Sequence, residues 1–281
     1  MGAICSYFRK PSKVEESESH FIVTREENIF FTKNCHKKAL LIGVNYDDNA
    51  YSNDDLRGCE NDTQRIKKFL IDKLSFEEED ITVLLTESAT RETIEIELLK
   101  LVDFAQFYED SDIFLHYSGH GTFVSSNTES DNQIEAICPS DYVKSGLIFD
   151  HWIKDYVINM LPADCRMFCL IDCCHSGTCC NLCYEYRSEN NLTKRLEDNS
   201  LCQASVVKIS GCKDDQVSFD YYNSHREEFN GALTNAFIET FDEYYTFKDH
   251  LHQIRSYLQN RFTQIPNLTI SHPKLVINYL M

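Results

Sequence analysis

The chain of 281 residues carries 27 lysines and arginines against 45 aspartates and glutamates, a formal net charge of −18. That excess of acid argues against a general nucleic-acid surface, which needs a basic face, and is compatible with long-range attraction of cationic substrates or divalent metal. The length suits one large α/β domain or two small ones with a full core; no apolar run approaches the roughly 20 residues of a membrane span, and no continuous apolar stretch near the N-terminus reads as a secretory signal.

Met1-Gly-Ala-Ile-Cys-Ser6 fits an N-myristoylation pattern, with Gly2 as acceptor and Ser6 at the required position. One acyl chain binds a membrane only marginally, so Cys5, as a palmitate site, or the following Arg9, Lys10 and Lys13 would be the second signal for peripheral association of an otherwise cytoplasmic protein. Residues to about Asn34 are polar and acidic and read as a flexible lead or a short pro-segment.

Lys38 to Asn45 is an apolar, β-branched run ending in polar residues, as a central strand does. Leu56-Arg-Gly-Cys-Glu-Asn-Asp62 opens a helix with Ile66, Phe69 and Leu70 on its apolar face, and Ile81 to Leu85 is a second strand. Thr90 is placed to cap a long helix, with Glu92 near its positive end and Ile94, Leu98, Leu101, Val102 and Ala105 along a core stripe. A third strand, from Asp112, stops at Ser118-Gly-His-Gly121. Thr122 to Asn132 reads as a polar loop, Glu135 to Asp141 as a short strand, and Gly146 to Asp150 as the opening of a helix to about Met160. Met167 to Ile171 is a fourth strand; it breaks into Asp172-Cys-Cys-His-Ser-Gly-Thr178. Residues 184–201 are polar and mixed in charge, an exposed loop; Val206 to Ser210 is a strand, and helices follow at about Gly231 to Tyr245 and Phe247 to Phe262, the second with Leu251, Ile254, Leu258 and Phe262 on one face. Alternating strands and helices imply a largely parallel sheet with helices on both faces.

The third and fourth strands end in the residues that carry chemistry, where open α/β sheets put their sites. A thiol is a nucleophile as thiolate and needs a base within reach, usually a histidine distant in sequence. His120 and Cys174 lie 54 residues apart, near the roughly 50 between histidine and cysteine in caspases. His116 and His175 are rival bases, and Cys173 is a rival thiol. His175 points away if Cys174 points in, since neighbours alternate on an extended chain, and His116 belongs in the core. Thirteen cysteines without a secretory signal point to free thiols in a reducing compartment. Cys173, Cys174, Cys179, Cys180 and Cys183 are dense enough to raise zinc, but adjacent pairs lack the usual ligand spacing.

The stretches His116-Tyr-Ser-Gly-His-Gly121 and Asp172 to Thr178 resemble the histidine and cysteine boxes of metacaspases, the arginine- and lysine-directed relatives of caspases. From Lys37 on, the strand through Tyr46, the segment Leu56 to Thr63, Ser210 to Gln216, Asn230 to Thr234 and Gln264 to Pro273 resemble the family's segments in its order, closer to type I than type II. The resemblance implies the caspase-like fold as a monomer: a lead over 1–34, a large-subunit-like region over 35–183, an exposed linker over 184–204 and a small-subunit-like region over 205–281. It implies Cys174 as nucleophile and His120 as base, with the N–H groups of Cys174 and Gly121 as oxyanion donors. A slot for a cationic side chain needs carboxylates. Asp172 lies two residues before the nucleophile and shares its side of the strand; the resemblance adds Asp62, with Cys59 and Ser118 lining the pocket.

No cofactor is needed for that chemistry, but the family is commonly calcium-activated. Asp131 or Glu135, for the loop after the histidine, and Asp150, at the opening of the next helix, are the matching acids here. The residue after Asp150 is His151 where the family has a second acid, and Asn181 stands where it has another; calcium takes six to eight oxygens, so weak or absent dependence is expected. Arg187, Lys194 and Arg195 are candidate self-cleavage sites. The leading expectation is a cysteine endopeptidase acting after arginine or lysine in protein or peptide substrates. The alternatives are a non-proteolytic, membrane-tethered interaction protein on the same fold and an aspartate-directed protease.

Overall fold

The computed structural model describes residues 29–32, 35–46, 55–125, 133–173, 180–188, 191–194, 202–211, 220–223, 228–259, 261–262 and 264–280. The order of elements is β1 (His36–Gly43), α1 (Cys59–Leu74), β2 (Ile81–Leu85), α2 (Arg91–Phe107), β3 (Ser111–Ser118), β4 (Gly121–Ser125), β5 (Gln133–Ile137), α3 (Tyr142–Ser145), β6 (Ile148–Phe149), α4 (Asp150–Tyr156), β7 (Arg166–Asp172), β8 (Tyr184–Ser188), β9 (Asn191–Lys194), β10 (Ser205–Ser210), β11 (Asp220–Asn223), β12 (Glu228–Gly231), α5 (Ala232–Glu239), α6 (Phe247–Leu258) and β13 (Asn267–Ile270).

Eight strands form one sheet in the order β2-β1-β3-β7-β10-β13-β8-β9. The first five run parallel and the last three add antiparallel, so the expected α/β architecture, mostly parallel with helices on both faces, is the one found. The near-continuous apolar runs of β1, β3 and β7 follow from burial on both faces. Alternation along β7 splits them between two cores: Met167, Cys169 and Ile171 pack with the stripe of α2, and Phe168 and Leu170 pack with α1, α5 and α6. The helix signals hold locally. Thr90 Oγ1 accepts the N–H of Thr93 at the start of α2, and Ile94, Leu98, Leu101, Val102 and Ala105 are all buried. α6 opens on a reciprocal Thr246–Asp249 cap and buries Leu251, Ile254 and Leu258.

Four local expectations are corrected. The polar loop expected from Thr122 begins as β4, which pairs antiparallel with β5 through Gly121↔Ile137 to Ser125↔Gln133; the β-formers Thr122, Phe123 and Val124 outweigh the polar surroundings. The exposed loop expected over 184–201 contains β8 and β9, and Glu185 and Tyr186 are buried. The two C-terminal helices are shorter than expected, ending at Glu239 and Leu258, and β13 follows them. The lead expected through Asn34 is packed from Ile29: Phe30 and Phe31 are buried, and their N–H groups donate to the carbonyls of Tyr279 and Leu280 at 2.8 and 3.0 Å. A tail rich in charge masked two aromatic anchors. No helix among the described residues is long and apolar enough to cross a membrane.

Candidate active site

β3 and β7 are neighbours, and Ser118 sits opposite Asp172 at their C-terminal ends. Beyond that pair the Gly119 N–H reaches the Asp172 carbonyl at 3.4 Å. The histidine and cysteine boxes therefore leave the sheet from adjacent strands at one edge. Cys174 itself, with His175, Cys179, Asp131, Arg195, Gly2 and Cys5, lies outside the described residues.

The four residues expected to line a cation slot come together and are all buried: Cys59, Asp62, Ser118 and Asp172. Helix α1 reaches the sheet closely because Gly43 lacks a side chain; a β-carbon there would lie 2.5 Å from the Cys59 carbonyl. The Asn45 side chain fixes the helix start by accepting the Cys59 N–H at 3.1 Å. That docking delivers Asp62 to the end of β3, where its Oδ2 accepts from Ser118 Oγ at 3.0 Å and from the Gly231 N–H at 2.8 Å. Asp172 Oδ2 accepts from the N–H and the Oγ1 of Thr234 at 2.8 and 2.9 Å. Gly231 fills the space between the two acids: a β-carbon on it would lie 2.4 Å from Asp172 Oδ2 and 2.5 Å from Asp62 Oδ2. Burial, and then the neighbouring charge of Asp172, pushes the Asp62 carboxyl well above the usual carboxylate range. Its Oδ1 is buried with no hydrogen-bond partner among the described residues, an acceptor that a cationic donor would satisfy.

His120 follows β3 at the same edge, partly exposed. Its ring lies against Tyr46, with centroids 4.6 Å apart and planes at 31°. The rival histidine, His116, is fully buried, its Nδ1 lies 3.2 Å from the Leu170 carbonyl, and burial pulls it down to about 4. It belongs to the core, as expected, and is out of reach of substrate. Cys173 is 1% exposed and packs in the core with Tyr117 and Ile171, which removes it as a second nucleophile in this arrangement. Gly121 opens β4. Every described cysteine is a free thiol, and no three described His, Cys, Asp or Glu side chains converge as a metal site.

The acids matched to calcium do not assemble into a calcium site among the described residues. Asp150 Oδ2 accepts from the amide of Asn181 at 3.0 Å, and its Oδ1 accepts the His151 N–H at 2.6 Å. Asn181 thus presents a donor to Asp150 where calcium would require both to present oxygen. Glu135 is buried in β5. Arg187 lies in β8 and Lys194 ends β9.

Sequence reasoning missed Gly231, Thr234, Tyr46 and Tyr117 as parts of the site. In the sequence, Asn230 to Thr234 is only a segment resembling the family's; the link from Gly231 to Asp62 spans 169 positions and leaves no local pattern.

Residues 37–183 match the family model described as metacaspase, peptidase C14 domain. A metacaspase-1 of Cryptococcus neoformans is 33% identical over 84% of this chain, which spans 63% of that protein's length. A metacaspase-1 of Schizosaccharomyces pombe is 30% identical, covering 84% of this chain and 68% of the relative. A crystal structure from Geobacter sulfurreducens superposes with a TM-score of 0.63 over 88% of this chain and 100% of that one; at 22% identity it shares the fold.

Proposed function

From the premise that this chain belongs to the metacaspase family of cysteine-type endopeptidases, we propose that it hydrolyses peptide bonds after arginine or lysine. The observation that supports this specificity is the buried pair Asp62 and Asp172 at the edge that His120 shares, with one Asp62 oxygen unpartnered among the described residues. Two neighbouring buried carboxylates are costly to ionise together. A substrate guanidinium or ammonium supplies a compensating charge and a donor for Asp62 Oδ1 at once.

In this reading Cys174 Sγ attacks the carbonyl carbon, and His120 takes the thiol proton and returns it to the leaving amine. The N–H groups of Gly121 and Cys174 hold the oxyanion, a contribution of about 10²–10³ in rate. Water then hydrolyses the thioester through the same histidine. No cofactor enters any step. Calcium dependence is weak or absent, because Asp150 is already engaged by N–H donors. Self-cleavage, if the linker enters the cleft, falls at Arg187, Lys194 or Arg195; Arg187 lies at the irregularity in the β8–β9 pairing. Gly2 acylation supplies a peripheral membrane anchor, read by incorporation of labelled myristate into wild type and its loss in Gly2→Ala.

The test is a panel of fluorogenic peptides ending in arginine, lysine or aspartate, assayed with chelator and with millimolar calcium, and Cys174→Ala as control. Turnover of the first two only, abolished in Cys174→Ala and equal under both conditions, is expected. Turnover of the aspartate peptide would overturn the specificity, and a strict need for calcium would overturn that part of the reading.

A further inference from the structure

Two tyrosines, one inside the histidine box and one from a distant segment, hold the main chain of His120. Tyr46, three residues past the end of β1, and Tyr117, in β3, are 2% and 1% exposed. Their hydroxyls lie 3.2 Å apart beneath His120. The Tyr46 hydroxyl accepts the His120 N–H at 2.9 Å and donates to the Cys138 carbonyl at 2.6 Å. The Tyr117 hydroxyl donates to the His120 carbonyl at 2.7 Å. Both main-chain polar groups of His120 are therefore bound by tyrosine oxygen, and the carbonyl also takes the Cys138 N–H at 3.0 Å. The Tyr46 ring covers one face of the imidazole.

Two further features show that this arrangement is built at a cost. Tyr46 has φ of +64°, a left-handed conformation that is unfavourable for a residue with a side chain and persists only when its surroundings over-determine it. Gly119 must be glycine, since a β-carbon there would lie 2.7 Å from the Tyr117 hydroxyl and 3.1 Å from that of Tyr46. Burial raises both phenols well above their ordinary value, so they stay protonated as hydrogen-bond donors.

We propose that Tyr46 is the positioning residue of the catalytic histidine, with Tyr117 as its second support. The ring fixes the plane of the imidazole and the two hydroxyls fix the backbone that carries it. The proposal rests on the dyad reading above and adds the group that aims its base. Misplacing a reacting group by an ångström costs about 10²-fold in rate, and the loss falls on kcat because the acid pair that binds substrate is untouched.

The experiment measures kcat and KM on an arginine peptide, thermal midpoints, and the rate at which iodoacetamide alkylates Cys174, read by mass spectrometry of its peptide. It uses wild type, Tyr46→Phe, Tyr46→Leu, Tyr117→Phe and His120→Ala. For Tyr46→Phe the expected result is a kcat lowered about 10- to 100-fold with KM within about twofold. Tyr46→Leu is worse still, so that the retained ring is a partial rescue, and alkylation slows from wild type toward the His120→Ala rate. Wild-type kcat in both phenylalanine variants would overturn the proposal. So would a loss that tracks only the unfolded fraction, or one carried by KM. Should wild type cleave no basic peptide, the specificity reading fails alone, because alkylation still reports the base: slowed in Tyr46→Phe it upholds the proposal, unchanged it ends it. Alkylation equal in wild type and His120→Ala ends both.

Discussion

Asp62 is where function and stability pull in opposite directions. Its carboxyl is fully buried and raised by burial and by Asp172, so the folded state binds the proton more tightly than the unfolded chain does. The stability linked to it is fully present below the ordinary carboxylate value and is lost as pH rises through the raised one. Asp62→Asn removes that loss. At neutral pH the variant should melt higher by a few degrees, the scale of about 1 kcal/mol in a domain of this size, and the advantage should vanish as pH is taken down toward 4. Cleavage after arginine should fall by about 10²-fold or more, since truncating one side of a buried charge pair costs about 2–5 kcal/mol. A variant that is less stable at neutral pH, with the same pH slope as wild type, would show that the acid pair is not strained. Gly231→Ala probes the same place from the other side. Its methyl would meet both carboxylates well inside contact distance, and α5 and β3 hold those carboxylates through Thr234 and Ser118. The expected cost is about 1–3 kcal/mol of overpacking, seen as a lower thermal midpoint together with weaker binding of a basic peptide aldehyde. The pair of acids was legible in the sequence because Asp172 opens the cysteine box and Asp62 lies in the segment Leu56 to Thr63 that resembles the family's. The glycine between them was not, because it acts through its missing side chain.

At the scale of the element, the strands that were easy to read are those whose apolar run is unbroken: β1, β2, β3, β7 and β10. β8 escaped because Glu185 looks solvent-exposed. It is buried in fact, and its charge is met by the Asn267 amide at 2.6 Å, from a strand 82 residues away. The opposite end of the sheet hides a similar device. Asp112, at the start of β3, is fully buried and is held by Arg166, by the Thr32 N–H and by Cys35 Sγ, while Arg166 also reaches Asp110. Burial raises the Asp112 carboxyl despite these partners, so the guanidinium is the group that keeps the charge tolerable. Arg166→Leu should cost about 3–5 kcal/mol, the price of stranding a buried charge. Asp112→Asn should cost less, because the neutral amide needs no counter-charge. Since this cluster sits at the strand starts and the site at the strand ends, kcat per folded molecule should not move in either variant. An equal thermal loss in both, or a changed kcat, would contradict that division of labour.

Over the whole molecule, the parallel order β2-β1-β3-β7-β10 explains why two boxes 54 residues apart were enough to locate the edge that carries the chemistry, while the Tyr46 and Thr234 contacts needed the folded chain. It also leaves the two ends of the described chain close together, and they are joined. Phe30 and Phe31 are buried against Phe247 and Phe76, with ring centroids 5.2 and 6.0 Å apart. Their N–H groups bond to Tyr279 and Leu280, and the Asn278 carbonyl accepts the N–H of Phe247 at the start of α6. This clasp ties the segment before β1 to the segment after β13, across the core that backs Asp62 and Asp172. Burying a phenylalanine in a well-packed core is worth about 3–5 kcal/mol against alanine, so two of them are a large part of the stability of a single domain. A chain beginning at residue 29 should therefore be more stable than one beginning at residue 35 by at least that amount, measured by denaturant midpoint at constant slope. Removing residues 279–281 should also destabilise, and the two deletions together should cost less than their sum, because each destroys the same clasp. Additive losses would mean that the ends dock independently, and equal stability of the two N-terminal truncations would mean that the aromatic pair contributes nothing to holding the fold.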